Sequence, residues 1–289
     1  MGGRWGLALS GGGLLGAAHL GVVSALADLG FQPPVLAGTS AGGLVAGILG
    51  LGVPIGDLTA AGRRVAADPA RYFRPEIVQL LDELVGYGQP ASGLLDPTRF
   101  LAELLALAPG AATTSDWSRP TAVTSVDLVA LRPACFVSAP VSPPANGDWD
   151  VIPQAPLHLA LGATMAEPVL FTAATDETHV FVDGGLADTL PEDWAFAMGA
   201  ERVLAVEVTH AGVAASTRMG LGTVIGRSID FVTQDAQSLR RPEGPVLLLT
   251  PDTSGVPFFG FSHFEQLVAA GTAAVRAQAG QIQAFLAGA

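Results

Sequence analysis

The chain has no lysine. All 14 of its basic residues are arginines, set against 26 acidic ones, and the net charge is −12. A chain so poor in positive charge lacks the cationic footprint that nucleic acid requires, and its balance argues against attraction to strongly anionic membranes. Neutral and zwitterionic substrates stay open. Cysteine is almost absent as well. With Cys135 alone, no intrachain disulfide and no thiolate metal cluster can form. Its surroundings, Pro133-Ala134-Cys135-Phe136-Val137, read as a strand, so the thiol is expected to be buried and structural. No pair of histidines has helical metal-ligand spacing, so neither a metal nor another cofactor is expected.

Long uninterrupted apolar runs are missing too. The stretch from Arg4 to Ala27 is apolar enough to suggest a signal sequence, but Gly11-Gly12-Gly13 falls where an unbroken helix would be wanted. No other run is free of Gly and Pro for the roughly 20 residues that a membrane span needs. The expectation is a cytoplasmic protein, with transient contact to a membrane surface left open. What is present suits a folded enzyme: 289 residues, 49% hydrophobic and 14% charged, with no internal repeat and no linker that forces a boundary. One domain spanning 1–289 is the economical reading.

Strand–turn–helix units open the chain. Trp5–Leu9 and Val35–Ala37 read as strands, Leu14–Leu29 and Ala41–Leu49 as the helices that follow them, which implies parallel strands with crossover helices. The segment Ile55–Leu107 is mainly helical in pattern, with apolar repeats at Leu80, Leu81, Leu84 and Val85 and again at Phe100, Leu101, Leu104 and Leu105. Further strands are expected at 122–126, 134–137, 169–171, 180–182, 202–208 and 246–249, with helices at 157–163 and 191–198. The segment 139–150 reads as an exposed loop. Alanine-rich Glu265–Leu286 reads as one long helix.

Three motifs carry chemistry. Gly38-Thr39-Ser40-Ala41-Gly42 fits G-x-S-x-G, a serine on a sharp strand-to-helix turn whose small neighbours let strand and helix approach. The plainer alternative is a glycine-rich turn with an N-capping serine. Ser10-Gly11-Gly12-Gly13-Leu14-Leu15-Gly16 offers consecutive amides that can point at one anion, as in an oxyanion hole. The rival is a nucleotide-binding oxidoreductase, since Gly11, Gly13 and Gly16 also satisfy G-x-G-x-x-G. That fingerprint expects an acid at the end of the second strand to hold a ribose. Here that strand runs into Gly38-Thr39-Ser40. Asp183-Gly184-Gly185 places an aspartate at a strand's carboxyl end, where active groups of parallel sheets gather, or else is an ordinary Asp-Gly turn.

Together the three motifs resemble the patatin-like phospholipases. Also similar to that family are Ala17-Ala18-His19-Leu20-Gly21-Val22, Ser92–Asp96, Thr124–Leu128, Ala160–Thr164, Pro168–Phe171 and Val182–Leu186. The resemblance implies a three-layer α/β/α sandwich with a mainly parallel central sheet and lipid acyl hydrolase activity on a lipid or other ester substrate. It implies a dyad of Ser40 as nucleophile and Asp183 as base, with the amides of Gly11, Gly12 and Gly13 as oxyanion donors. Gly16, Gly38, Gly42 and Gly184 support the motifs. The family usually carries Arg or Lys just before the last glycine of the loop. Leu15 stands there in this chain, which points to altered activity or to a lipid-binding relative without turnover.

A Ser–His–Asp triad would draw on His19, His158, His179, His210 or His263. Ser40, Asp183 and either His210 or His263 have the chain order of an α/β-hydrolase, but an elbow after only one earlier strand comes too soon for that fold. His19 and His179 read as structural. The aromatic segment Pro257–Phe264 reads as packing for the last helix, or as an apolar flap.

Overall fold

The computed structural model describes residues 4–76, 91–145, 147–208, 243–256 and 260–288. The chain opens with β1 (Trp5–Leu9), a 3-10 turn at Gly13–Gly16 and α1 (Ala17–Asp28). Next come β2 (Val35–Gly38), α2 (Ala41–Gly50), α3 (Ile55–Ala67) and the short α4 (Pro69–Tyr72). β3 (Arg74–Pro75), β4 (Gly93–Asp96) and α5 (Thr98–Leu105) precede the central hairpin of β5 (Thr121–Asp127) and β6 (Arg132–Val137). β7 (Asp150–Pro153), α6 (Leu157–Met165), β8 (Val169–Phe171), β9 (Ala174–Thr175) and β10 (Val180–Asp183) follow. The described chain ends with α7 (Glu192–Ala197), β11 (Arg202–Val206), β12 (Val246–Leu249), α8 (Phe264–Ala277) and α9 (Ala279–Ala287).

The main sheet runs β12-β11-β1-β2-β5-β10-β9, with β6 and β7 continuing from β5. From β12 to β5 the pairing is parallel throughout. Strands covered on both faces are apolar on both faces, and the two faces differ in size. Leu7, Leu9, Leu36, Leu204 and Val206 face α1, α2 and α8. Ala8, Ala37, Val203 and Ala205 face the other way, onto Trp194 and Met198. Small residues on that side make room for Trp194, which meets Trp149 edge to face at 5.2 Å. The result is the expected α/β/α sandwich with a mostly parallel sheet. Cys135 is fully buried in it, and burial pushes its thiol well above the ordinary range.

One feature of β5 positions everything that follows. A single edge of this strand is shared by two others. β2 lies parallel to its first half, with Gly38 opposite Val123. β10 lies antiparallel to its second half, with Asp183 opposite Ser125. The carboxyl ends of β2 and β10 therefore run toward each other and stop on either side of Thr124.

Several expectations need correction. Glu265–Leu286 is two helices, because Gln278 leaves the helical region at φ −117° and ψ 17°. Alanine favours helix on both sides of this point but does not set direction. The bend brings Ile282 and Leu286 into the core. The segment taken as mainly helical contains β3 and β4, which join β8 in a separate three-stranded sheet. β7 and β9 also went unforeseen. These strands, Arg-Pro, Gly-Leu-Leu-Asp, Asp-Val-Ile-Pro and Ala-Thr, carry no run of more than two β-favouring residues and are bounded by Gly, Pro, Asp or Ala, so partners distant in sequence decide them. The helical pattern at Leu80–Val85, His210 and Pro257–Phe259 lie outside the described residues. Phe264, from the same aromatic segment, is buried in the core, and Phe261 packs on Phe73 at 6.0 Å between ring centres.

The β5–β6 turn is unusual. Leu131 sits there at φ +53°, a left-handed conformation that costs a bulky side chain roughly 1–2 kcal/mol. Among the described residues, no helix is long and apolar enough to cross a membrane.

α1 and α8 cross at two glycines. A Cβ on Gly21 would overlap the Val268 carbonyl, and one on Gly271 would overlap that of Ala18. Glycine-to-alanine changes inside helices ordinarily stabilise by about 1 kcal/mol. Here backbone overlap reverses the sign, so Gly271→Ala should lower the unfolding free energy by about 1–3 kcal/mol in urea titration. Equal or higher stability would show that the crossing has slack.

Candidate active site

The turn after β2 carries Ser40 at φ +54° and ψ −123°, a strained conformation for a residue with a side chain. Three close approaches hold it. A Cβ on Gly38 would strike the Gly42 carbonyl, and a Cβ on Gly42 would strike the carbonyls of Leu9 and Ser10. Gly16 in turn abuts the Ala41 methyl, which brings the start of α1 against the start of α2. The Ser40 N–H donates to Thr164 Oγ1 on α6 at 2.8 Å. Ser40 makes no side-chain cap for α2. Its hydroxyl points elsewhere.

That hydroxyl donates to Asp183 Oδ2 at 2.5 Å. The other carboxylate oxygen accepts the Gly185 N–H at 2.8 Å, and the Asp183 N–H donates to the Ala166 carbonyl at 3.0 Å. Gly184 has to be glycine because a Cβ would run into Thr124. Asp183 is buried, and burial pushes its carboxyl up to about 6, against the Ser40 hydroxyl and Gly185 N–H, which hold it down. Ser40 is half-buried at the N-terminus of α2, whose partial positive charge favours an anion developing there.

Thr39 and Thr124 close the gap between the strand ends. Their hydroxyl oxygens lie 2.7 Å apart, and Thr39 Oγ1 donates to the Asp188 carbonyl at 2.7 Å. Since Thr39 has one proton to give, Thr124 is the donor in their mutual bond. The loop after Asp183 is thereby tied to the elbow. It is tied to the glycine loop as well, because the Gly11 N–H donates to the Thr189 carbonyl at 2.9 Å.

That bond departs from the expectation for the glycine loop. Gly11, anticipated as an anion donor, has its amide committed to Thr189. Gly12 (φ 143°) and Gly13 (φ 54°) adopt conformations closed to most other residues, and no acceptor among the described residues takes their N–H groups. The Ser10 carbonyl anchors the loop base by accepting from Gly42 N–H at 3.2 Å and from His19 Nε2–H at 2.9 Å. His19 is fully buried, and burial drives its pKa down to about 4, so it is neutral near pH 7. Its role is to hold Ser10. Leu15 is buried among the apolar residues of the core, so the position that carries charge in the resembled family packs here.

Among the described residues, no histidine bonds to Ser40 or Asp183. His158 is exposed, His179 pairs with Asp176 at 2.9 Å, and His263 precedes α8 beside Ser262. Thr39, Thr124 and Thr164 were not singled out by sequence reasoning. They fall within the elbow motif and two of the family-like segments, and a polar residue inside an otherwise apolar segment such as α6 was a further signal, since a buried hydroxyl needs a partner.

The family model for patatin-like phospholipase matches residues 7–196. That span includes every site residue discussed above. Among solved structures, the crystal structure of VipD from Legionella pneumophila is similar at 14% identity and a TM-score of 0.44, covering 94% of this chain and 67% of that one.

A buried carboxyl with a raised pKa has a cost in stability. The unfolded state ionises near 3.8 and the folded state near 6, so this group lowers stability as pH rises from about 4 to about 6 and keeps it lowered above that. The size is on the order of 3 kcal/mol. Asp183→Asn should therefore gain stability over the wild type across this interval, read as the difference between their urea midpoints at each pH. Parallel curves would mean that the carboxyl is not desolvated.

Proposed function

The chain belongs to the patatin-like phospholipase family, a membership that assigns it in general to the lipid hydrolases, and on that premise we propose that it cleaves a carboxylic ester of a lipid with Ser40 as nucleophile and Asp183 as base. The observation that carries this reading is the 2.5 Å hydrogen bond from the Ser40 hydroxyl to Asp183 Oδ2, made at a strained elbow where the hydroxyl forgoes capping its helix.

Asp183 takes the hydroxyl proton as Ser40 Oγ attacks the ester carbonyl. A carboxyl near 6 is ionised at neutral pH, yet it is a better proton acceptor than an exposed aspartate. The N–H groups of Gly12 and Gly13 stabilise the tetrahedral oxyanion, and the N-terminus of α2 contributes to the same field. Gly11 shapes the loop through Thr189. The proton held by Asp183 passes to the departing alcohol or lysolipid. Water then attacks the acyl-enzyme, with Asp183 again taking the proton. A dyad suffices because the Gly185 N–H fixes the carboxylate, the orienting task that an aspartate performs for histidine in a triad.

A fluorophosphonate probe should label the wild type at Ser40 and leave Ser40→Ala unlabelled, with the modified peptide mapped by mass spectrometry. On a panel of soluble esters, Asp183→Asn should lower turnover by about 10³-fold. For the wild type, kcat/KM should rise with pH through about 6 and then level, because the base works only when ionised. Labelling at another residue, or full turnover by a folded Asp183→Asn protein, would overturn the dyad.

A further inference from the structure

The turn joining β5 to β6 is Leu128-Val129-Ala130-Leu131, four apolar residues where a short connection ordinarily carries Gly, Asn, Asp or Ser. Leu128 is 44%, Val129 63% and Leu131 80% exposed. Leu131 also holds the left-handed conformation that bulky side chains avoid. Backbone preference and solvent exposure thus both oppose the residue found there. Such double violations of local preference are characteristic of functional sites.

The turn is held firmly. The Val129 N–H donates to Asp127 Oδ1 at 2.9 Å, the Leu128 N–H donates to the Val180 carbonyl at 2.8 Å, and Arg132 bridges Asp148 and Asp150. The apolar side chains are therefore presented outward by an ordered hairpin. Their position relates to the catalytic pair. Asp183 lies opposite Ser125, and β5 continues past it through Asp127. At roughly 3.3 Å per residue, the turn begins about 10 Å beyond the pair. It projects in the direction toward which β1 and β2 run, and the elbow follows the carboxyl end of β2.

We propose that this turn inserts into a zwitterionic lipid surface and seats the enzyme where its substrate resides. The inference rests on the lipid hydrolase reading of the Ser40–Asp183 site. The charge around the turn selects the kind of surface. Exposed Asp176 and Glu177 lie on the adjoining β9–β10 turn, Asp148 and Asp150 flank Arg132, and no lysine occurs anywhere in the chain. Anionic headgroups would be repelled, whereas apolar insertion between zwitterionic ones needs no basic residues.

The test is co-sedimentation of the full chain with phosphatidylcholine and with phosphatidylglycerol vesicles, comparing wild type with Leu131→Asn. Asparagine accepts the left-handed conformation, so the variant should melt at the same or a higher temperature. It should bind phosphatidylcholine vesicles about tenfold more weakly and hydrolyse a soluble short-chain ester at the wild-type rate. Equal vesicle binding by the variant, absent binding by the wild type, or preference for phosphatidylglycerol would overturn the proposal. So would a dimer in lipid-free light scattering that Leu131→Asn dissolves, since the turn would then join two copies. Vesicle binding that depends on Leu131 without turnover of any ester would uphold the turn and overturn the catalytic reading. Soluble-ester turnover without vesicle binding would do the reverse.

Discussion

Two strands approaching end to end along one edge of β5 are the constraint on which the rest of this structure depends. β2 arrives parallel to β5 and β10 antiparallel to it, and their carboxyl ends halt on either side of Thr124. A serine two residues beyond one strand end and an aspartate closing the other are thereby brought within a single hydrogen bond, although 143 positions separate them in sequence. Thr39 and Thr124 fill the gap with a bond of their own. If β10 slipped by one residue against β5, Asp183 would turn to the opposite face of the sheet and the pair would be lost.

The glycines belong to the same constraint. Gly38, Gly42 and Gly184 stand where backbone from another element comes too near for a Cβ, and Gly16 lets α1 reach the base of the elbow. This density supports a residue in a strained conformation, which costs of order 1–3 kcal/mol wherever it occurs. It also keeps water from Asp183, and that exclusion raises the carboxyl. Strain at Ser40 and desolvation at Asp183 both work against stability, and the broad apolar core on the α1–α2–α8 face offsets them. Leu15 lies in that core, which links the floor of the glycine loop to packing rather than to charge.

Charge gives the molecule a second theme. The absence of lysine, the acidic excess and an apolar hairpin tip are what the proposed contact with neutral or zwitterionic lipid requires. The tip follows directly on β5, the strand that also brings Ser40 and Asp183 together. One element thus relates the proposed surface contact to the proposed chemistry.

Much of this is legible in the sequence. The parallel layout followed from alternating strands and helices. The elbow, the glycine loop and the Asp183 turn followed from residue types whose backbone demands are local. Local rules reach about as far as one turn and the elements beside it, and they stopped there. They did not reveal β3, β4, β7 or β9, which carry no run of more than two β-favouring residues, nor the bend at Gln278, which core contacts decide. They could not separate a capping serine from one aimed at Asp183, because that depends on β5 bringing two distant strand ends together. They counted Gly11 among the free donors, whereas Thr189, from a loop 178 positions away, takes its amide. Sequence alone determined which residues have the chemistry and the local backbone freedom for this site. Tertiary structure decided which of them meet, because a hydrogen bond forms only where packing places both partners within about 3 Å.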